Sequence, residues 1–277
     1  MNAIELNNVC KSFDGFKLDN VSFNLPTGCI LGLIGENGAG KSTTIKLILD
    51  VLNLQKGSIN VFGKDHKQLD KNDVGVVNDD FGMPDCLNAF QLEDVMSNIF
   101  SNWNHDEFVR LCNLLNIPTD KKYKDLSMGN KMKIRIVVAM SHNASLLILD
   151  EPTNGLDPVV RDEVISILFD FTRNENHSIL ISSHIVSDLE KVCDYICFMH
   201  DGKVMIYEEK DELLNNYGVI HYANDETLDI NENAIIKIKQ TSYSKEVLVD
   251  RRNLTSDRHV SPINIEDLFV FMVKEGR

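Results

Sequence analysis

A glycine-rich segment of nine residues constrains this chain more than any other part of its sequence. It reads GENGAGKST over residues 35–43 and matches the pattern G-x-x-x-x-G-K-[ST] without a mismatch. Such glycines allow successive backbone N–H groups to surround phosphate oxygens, while the lysine supplies charge for the β- and γ-phosphates and the serine hydroxyl suits Mg²⁺. The pattern predicts a phosphate-binding loop with contacts from Gly35, Asn37, Gly38, Ala39, Gly40, Lys41, Ser42 and Thr43.

The flanks of this loop agree with that prediction. Residues 29–34 are an apolar run, as expected for a strand buried on both faces, and Ile45, Ile48, Leu49 and Leu52 recur at helical spacing. A strand, a glycine loop and a helix in this order direct a helix N-terminus at an anion. The alternative is a glycine-rich turn without a ligand, and we favour the binding loop because both flanks match.

The overall composition narrows the class of protein. The chain has 277 residues, a net charge of −14 and a pI of about 5.0. This acidic balance disfavours proteins that coat nucleic acid, so we expect no nucleic-acid partner. We find neither a start typical of a signal peptide nor a run of 18 apolar residues, and therefore expect no membrane span. Six scattered cysteines suit reduced thiols in a cytosol.

Strand-like and helix-like segments alternate along the chain, which predicts an α/β fold with a mainly parallel sheet. With the loop, this indicates a P-loop NTPase core that has an antiparallel β edge. Helical texture over approximately residues 87–140 predicts an inserted helical subdomain. We expect a short helix to be capped by Gly218, and because the sequence changes character after it, we place the first domain at residues 1–218. Residues 219–277 predict a small C-terminal α+β extension whose last helix is capped by Asn264.

A second apolar strand, at residues 146–149, ends in two carboxylates, Asp150 and Glu151. Next to a phosphate loop, Asp150 is expected to hold Mg²⁺, since Mg²⁺ uses few carboxylates and keeps several waters. Strand side chains alternate in direction, so Glu151 is expected to face the terminal phosphate and polarise an attacking water. Without the loop, a strand end that meets solvent would be the better interpretation.

Taken in order, these segments resemble the nucleotide-binding subunit of ATP-binding-cassette (ABC) transporters over roughly residues 4–218. Residues 126–131, LSMGNK, stand where that family has its signature segment, commonly Leu-Ser-Gly-Gly-Gln, so Met128 and Asn130 depart from it. The resemblance implies that Ser127 and Gly129, at a helix start, contact the terminal phosphate held by an opposite subunit. The alternative is an ordinary serine-capped helix, and both interpretations can hold together.

Three further positions follow the order of the family. Residues 154–157, NGLD, look like the loop that meets its twin across a dimer, which implies a contact of Asp157 at the nucleotide site. His184 follows a strand and resembles the histidine that hydrogen-bonds the γ-phosphate. Phe13 resembles the aromatic residue that stacks on adenine, with core packing as its alternative.

One departure concerns a position two residues after the strand at residues 74–77. The family usually has a glutamine there, which binds Mg²⁺ and acts as a hinge towards the membrane partner, whereas this chain has Asp79 followed by Asp80. A carboxylate still offers Mg²⁺ an oxygen, but it is shorter and adds charge near phosphates, so metal preference and coupling stay open. Acidic residues here resemble the branch of small exporter-type subunits that serve peptide-antibiotic transporters.

The resemblance implies an ATPase that uses ATP and Mg²⁺, with Lys41, Glu151 and His184 as catalytic residues. The implied metal ligands are the serine of the loop, Asp79 and Asp150. It also implies a head-to-tail homodimer that drives a transmembrane permease subunit on a separate chain, most simply an exporter. The protein would then be cytoplasmic and peripheral on the inner face of the cell membrane.

Two other functions remain open at this stage. One is a soluble ABC ATPase that acts in nucleic-acid repair or translation, although such proteins usually carry long coiled-coil arms or two cassettes. The other is an ATP-dependent dimerisation module that hydrolyses poorly, because Asp79, Met128 and Asn130 depart from the family pattern.

Overall fold

The computed structural model describes residues 1–78, 82–240, 242, 244–255 and 257–274. The chain divides into two compact units, Met1–Tyr207 and Glu208–Arg277, and each contains its own cluster of buried apolar side chains. The domain boundary predicted after Gly218, and the predicted extent of the helical subdomain, stay predictions.

The strands and helices are numbered in chain order. The strands are β1 (Asn2–Phe13), β2 (Phe16–Pro26), β3 (Ile30–Gly35), β4 (Lys56–Val61), β5 (Lys64–Asp65), β6 (Val74–Val77), β7 (Leu146–Asp150), β8 (Ser178–Ser183), β9 (Tyr195–His200), β10 (Lys203–Glu209), β11 (Tyr217–Ala223), β12 (Ile235–Gln240), β13 (Ser244–Asp250) and β14 (Ser261–Pro262). The helices are α1 (Lys41–Ile48), α2 (Ala89–Ile99), α3 (His105–Leu114), α4 (Met128–Met140), α5 (Pro158–Phe171), α6 (Val186–Val192), α7 (Lys210–Asn216) and α8 (Ile265–Val273).

A six-stranded sheet, in the order β10-β9-β3-β8-β7-β6, forms the centre of the first unit. Its strands from β9 to β6 are all parallel to their neighbours. Asp201 and Gly202 both have positive φ and turn the chain from β9 into β10, as a two-residue hairpin requires. Every residue of β3 and of β8 is buried, because strands in the middle of a parallel sheet are covered on both faces. The predicted α/β fold with a mainly parallel sheet is confirmed.

A second, antiparallel sheet of the first unit has the order β2-β1-β4-β5 and confirms the predicted antiparallel edge. Helix α1 supplies Ile45, Leu47 and Ile48 to the same buried cluster as side chains from both sheets. The helix that follows the glycine loop is therefore fixed on two sides. Because its first residue is Lys41, the packing of α1 also fixes the position of the loop.

The chain between β6 and β7 is helical, as predicted for an inserted segment. Helix α2 begins with a reciprocal capping box between Asn88 and Gln91, and both α2 and α3 contact α4. Buried Glu93 on α2 accepts hydrogen bonds from Trp103 Nε1 at 3.2 Å and pairs with His105 Nδ1 at 2.6 Å. These bonds tie α2 to the start of α3, and the hydrogen bond to Glu93 raises the pKa of His105.

The second unit contains a four-stranded sheet, β12-β13-β11-β14, together with α7 and α8. Asn264 accepts a hydrogen bond from the backbone N–H of Asp267 and caps α8, as predicted. The predicted role of Gly218 as a helix cap is wrong. Helix α7 ends at Asn216 and Gly218 lies inside β11, where a Cβ atom would approach Val260 Cγ1 to 2.5 Å. The glycine makes room for a neighbouring chain segment instead of ending a helix.

The structure also bears on the expected lack of a membrane span. Over the residues that the structure describes, none of the helices has the length and apolar character needed to cross a membrane.

Candidate functional site

The glycine loop joins the end of β3 to the first turn of α1. Gly38 and Gly40 have φ angles of 86° and 106°, which residues with a side chain rarely adopt. A Cβ atom on Gly40 would lie 2.5 Å from Leu18 Cδ2, and one on Gly35 would lie 2.6 Å from the carbonyl oxygen of Met199. The three glycines are thus required by the turn or by close packing, and the loop leads directly into a helix N-terminus suited to an anion.

Lys41, the first residue of α1, is only 5% exposed. Its Nζ donates to the carbonyl oxygen of Gly35 at 2.7 Å and to that of Glu36 at 3.3 Å. The same ammonium group lies 3.1 Å from Glu151 Oε1. An unpaired buried ammonium group has a large desolvation penalty, so these contacts stabilise the charge of Lys41 beside the glycine loop.

The two carboxylates lie at the end of β7, on the strand next to β8 in the sheet. Asp150 is paired in register with Ser182, whose hydroxyl donates to Asp150 Oδ1 at 2.5 Å. The same hydroxyl accepts a hydrogen bond from the backbone N–H of Glu151 at 3.1 Å. One buried serine therefore positions both acidic residues.

Glu151 has a φ angle of 52°, a left-handed conformation that is strained for a residue with a side chain. This turn directs its carboxylate back toward the loop, where Oε1 meets Lys41. Its Oε2 lies 2.7 Å from His184 Nδ1 and accepts from the backbone N–H of His184 at 3.2 Å. The structure thus brings three predicted catalytic residues, Lys41, Glu151 and His184, into one hydrogen-bonded chain.

Other predicted site residues lie around this chain. Ser42 is exposed at the second position of α1, Thr43 is half-buried, Asn37 is exposed and Ala39 is buried. Phe13 ends β1 with 43% of its surface exposed, and Lys11 Nζ lies 5.4 Å from the centre of its ring. Asp79, the third predicted metal ligand, lies outside the described residues, as does Asp80.

The signature segment and residues 154–157 each begin a helix in the same way. Ser127 caps α4 by accepting from the backbone N–H of Asn130, and Asp157 caps α5 by accepting from those of Val159 and Val160. The sequence predicts that Ser127 and Asp157 contact nucleotide, and their role as helix caps is compatible with that contact. The structure describes a single chain, so these contacts across a dimer stay predictions.

The residues present suit ATP and Mg²⁺. The loop and the start of α1 offer backbone N–H groups and one ammonium group to phosphates. Ser42 and Asp150 offer oxygen atoms as metal ligands, which Mg²⁺ prefers. At nucleotide sites Mg²⁺ is bound by one or two carboxylates together with phosphates and waters. Among the described residues no cluster of three or more His, Cys, Asp or Glu side chains forms a ligand cage.

Sequence reasoning missed Ser182 and the contact between Lys41 and Glu151. The signal for Ser182 was present: Ser182 and Ser183 end an apolar strand, and parallel strand ends meet at one edge of a sheet. The pairing of β8 with β7 decides which carboxylate the serine reaches, and that pairing is tertiary.

Known proteins are similar to this chain in sequence and in fold. A protein-family model described as "ABC transporter" matches residues 18–154. The ABC transporter ATP-binding protein YtrB of Bacillus subtilis is 31% identical over 282 residues, covering 96% of this chain and 97% of YtrB. The lantibiotic transport ATP-binding protein SrtF of Streptococcus pyogenes is 34% identical over 207 residues, covering 72% of this chain and 90% of SrtF.

A solved dimeric bacterial ABC transporter cassette has the same fold. It is 20% identical, has a TM-score of 0.67, and matches 74% of this chain and 98% of its own length. YtrB therefore matches almost the whole chain and SrtF about three quarters of it, whereas the structural match shows the fold. Together with the glycine loop and the acidic strand end, these similarities show that the chain belongs to the family of ABC transporter ATP-binding proteins and is an ATPase.

Proposed function

We propose that the protein binds ATP·Mg²⁺ in the glycine loop and hydrolyses it with Glu151 as general base. The observation that carries this proposal is that Glu151 contacts both Lys41 and His184 beside the glycine loop. Lys41 and the loop N–H groups bind the phosphates. Ser42 and Asp150, with Asp79 outside the described residues, hold Mg²⁺, which neutralises phosphate charge when bound.

The contacts of Glu151 explain how the carboxylate serves this reaction. Phosphate oxygens in the loop compete with Glu151 for Lys41, because both are anionic partners of one ammonium group. Glu151 Oε2 stays oriented by His184, while its other oxygen accepts a proton from water. The water oxygen attacks the terminal phosphorus, the bond to the bridging oxygen breaks, and ADP and phosphate leave.

We further propose a head-to-tail homodimer in which the α4 N-terminus of one copy completes the ATP site of the other. Ser127 and Asn130 lie at an exposed or half-exposed helix start, where N–H groups can meet an external phosphate. The solved cassette of the same fold is described as dimeric, which supports this arrangement. Asp157, at the neighbouring helix start, lies in the segment that would meet its copy across the same interface.

The partner is proposed to be a transmembrane permease on a separate chain, which places this protein at the inner face of the cell membrane. SrtF is a lantibiotic transport protein, and two BcrA relatives are bacitracin transport proteins. These names support transport of a peptide antibiotic or a related compound, and export is the direction that we propose. Co-purification from membranes, followed by identification of the bound chain, tests the partner.

A poorly hydrolysing dimerisation module is the second candidate, favoured by Met128 and Asn130 in the signature segment. Phosphate release by purified protein separates the two functions. Glu151→Gln should bind ATP, hydrolyse it poorly and accumulate as a dimer, whereas Lys41→Ala should fail to bind. Wild-type turnover in Glu151→Gln would remove Glu151 from its role, and absent turnover in the unaltered chain would favour the module.

A soluble ABC ATPase outside transport is the remaining alternative. Such a protein would bind RNA or DNA, and a salt-sensitive gel shift with the purified protein would support it. No shift, together with a membrane chain that co-purifies, is the result expected for a transporter subunit.

A further inference from the structure

The signature segment and residues 154–157 are in direct contact within one protomer. Gly155 has a φ angle of 70°, and a Cβ atom on it would lie 2.9 Å from Met128 Cε and 3.3 Å from Met128 Sδ. The end of the Met128 side chain therefore lies over the Gly155 backbone, although 59% of Met128 is exposed. This contact depends on Met128, because the glycine common at that position in the signature segment has no side chain.

The next residue makes the reverse contact. A Cβ atom on Gly129 would lie 3.1 Å from Val160 Cγ1 and 3.2 Å from Val160 Cγ2. Met128 of the signature segment thus packs on Gly155, and Val160 near the start of α5 packs on Gly129 of the signature segment. The starts of α4 and α5 are thus held together by two consecutive residues.

The two neighbours of Gly155 in the chain form hydrogen-bonded turns that begin at Glu151 and Thr153. The backbone N–H of Asn154 donates to the carbonyl oxygen of Glu151 at 3.2 Å, and that of Leu156 donates to Thr153 at 3.3 Å. These two overlapping turns connect Gly155 to the backbone of Glu151 through hydrogen bonds of the intervening residues. Glu151 itself has the left-handed backbone conformation, which persists only where neighbours enforce it.

We propose that Met128 is a positioning residue for ATP hydrolysis. By covering Gly155 it holds the turn over residues 151–155, and so keeps the Glu151 carboxylate directed at Lys41 and His184. Met128 suits this task because its unbranched, polarizable side chain fills an irregular surface closely. The inference rests on the proposed role of Glu151. It means that Met128 connects the start of α4, which is proposed to face the other copy, to Glu151, the proposed general base of its own protomer.

The test compares Met128→Ala, which removes the contact, with Met128→Leu, which keeps most of the volume. Small displacements of a catalytic group cost up to 10²-fold in rate, so we expect Met128→Ala to lower kcat about tenfold. Binding of ATP should stay within about twofold, because the loop and Lys41 are unchanged, and Met128→Leu should keep at least about half of kcat. The matched control is Met205→Ala, another exposed methionine, on β10.

A second measurement separates positioning from a direct contact with the ATP of the other copy. In a Glu151→Gln background, Met128→Ala should leave ATP-dependent dimer formation unchanged in light scattering. Gly155→Ala should lower kcat more when Met128 is present than in the Met128→Ala background, since the added methyl group meets Met128. A smaller effect in the presence of Met128 would argue against the contact.

Three results would overturn the inference: an unchanged or raised kcat in Met128→Ala, a Met128→Leu variant as defective as the alanine variant, or weakened dimer formation that accounts for the loss. These results are distinct from failure of the proposed function. If Glu151→Gln keeps wild-type turnover, the base assignment fails and this inference fails with it. If Glu151→Gln is inactive and Met128→Ala is fully active, only the role of Met128 is refuted.

Discussion

Ser182→Ala should impair hydrolysis more than its effect on folding can explain. The Ser182 hydroxyl is fully buried, donates to Asp150 at 2.5 Å and accepts from the N–H of Glu151 at 3.1 Å. A hydrogen bond to a charged group contributes about 1.5–3 kcal/mol, so we expect the free energy of unfolding to fall by about 2 kcal/mol. The N–H of Glu151 keeps its bond to the Ser182 carbonyl oxygen, which limits the loss.

The loss of orientation should appear in catalysis. If about 1.4 kcal/mol of the lost contact acts in the transition state, kcat falls about tenfold. The assay is phosphate release at saturating ATP and Mg²⁺, beside urea denaturation of the same preparation. Removal of the hydroxyl affects the Asp150 carboxylate and the Glu151 backbone together, so both the Mg²⁺ dependence and kcat should change.

Ser178→Ala is the matched control. Ser178 is equally buried at the other end of β8, and its hydroxyl accepts a hydrogen bond from the N–H of Gly28 at 3.0 Å. A neutral hydrogen bond contributes about 0.5–1.5 kcal/mol, so this variant should lose about 1 kcal/mol of stability and keep its kcat. Wild-type kcat in Ser182→Ala, or an equal loss of kcat in Ser178→Ala, would refute the argument that Ser182 positions Asp150 and Glu151.

Three further predictions concern the loop, a buried histidine and the thiols. Gly40→Ala should destabilise the fold by more than about 1 kcal/mol and weaken ATP binding in calorimetry, because φ is 106° and a methyl group would meet Leu18; unchanged binding would contradict this. Burial lowers the pKa of His142 below 6.5, so the free energy of unfolding measured in urea should fall as the pH drops from about 6.5 toward that lower value. His142→Gln should flatten this pH dependence, and an equal slope in the variant would refute the prediction. Burial raises the pKa of Cys112 to about 12, whereas Cys86 is exposed. Iodoacetamide should therefore alkylate Cys86 first and Cys112 only on unfolding, as measured by peptide mass spectrometry. Early alkylation of Cys112 would contradict this prediction.

Much of the fold could be predicted because local patterns carry it. The glycine loop, the apolar strand before it and the caps at Ser127 and Asn264 each depend on a few neighbouring residues. The wrong cap at Gly218 shows the limit of such patterns. A glycine after a helical run fits a helix end, but here it admits Val260 into a packed sheet, which only the tertiary structure decides.

The site could be predicted residue by residue, but not as a set of contacts. Motif positions indicated Lys41, Glu151 and His184 separately, whereas their mutual contacts depend on the register of β7 with β8 and on the left-handed backbone of Glu151. The contact of Met128 with Gly155 likewise joins segments that are distant in sequence. Such relations come from packing, which neither spacing nor composition encodes.

The central claim is that one copy grips the terminal phosphate through its loop and a second copy completes the site with the Ser127 helix start. Mixing two inactive variants tests it most directly. Lys41→Ala keeps an intact Ser127, and Ser127→Asp keeps an intact Lys41; aspartate still caps a helix but its carboxylate repels phosphate.

In a head-to-tail dimer of one copy of each, Lys41 of one chain faces Ser127 of the other, so one complete site forms. The account predicts that the mixture releases phosphate well above the sum of the two variants measured alone. Phosphate release no greater than that sum, from variants that form dimers with each other, would contradict it.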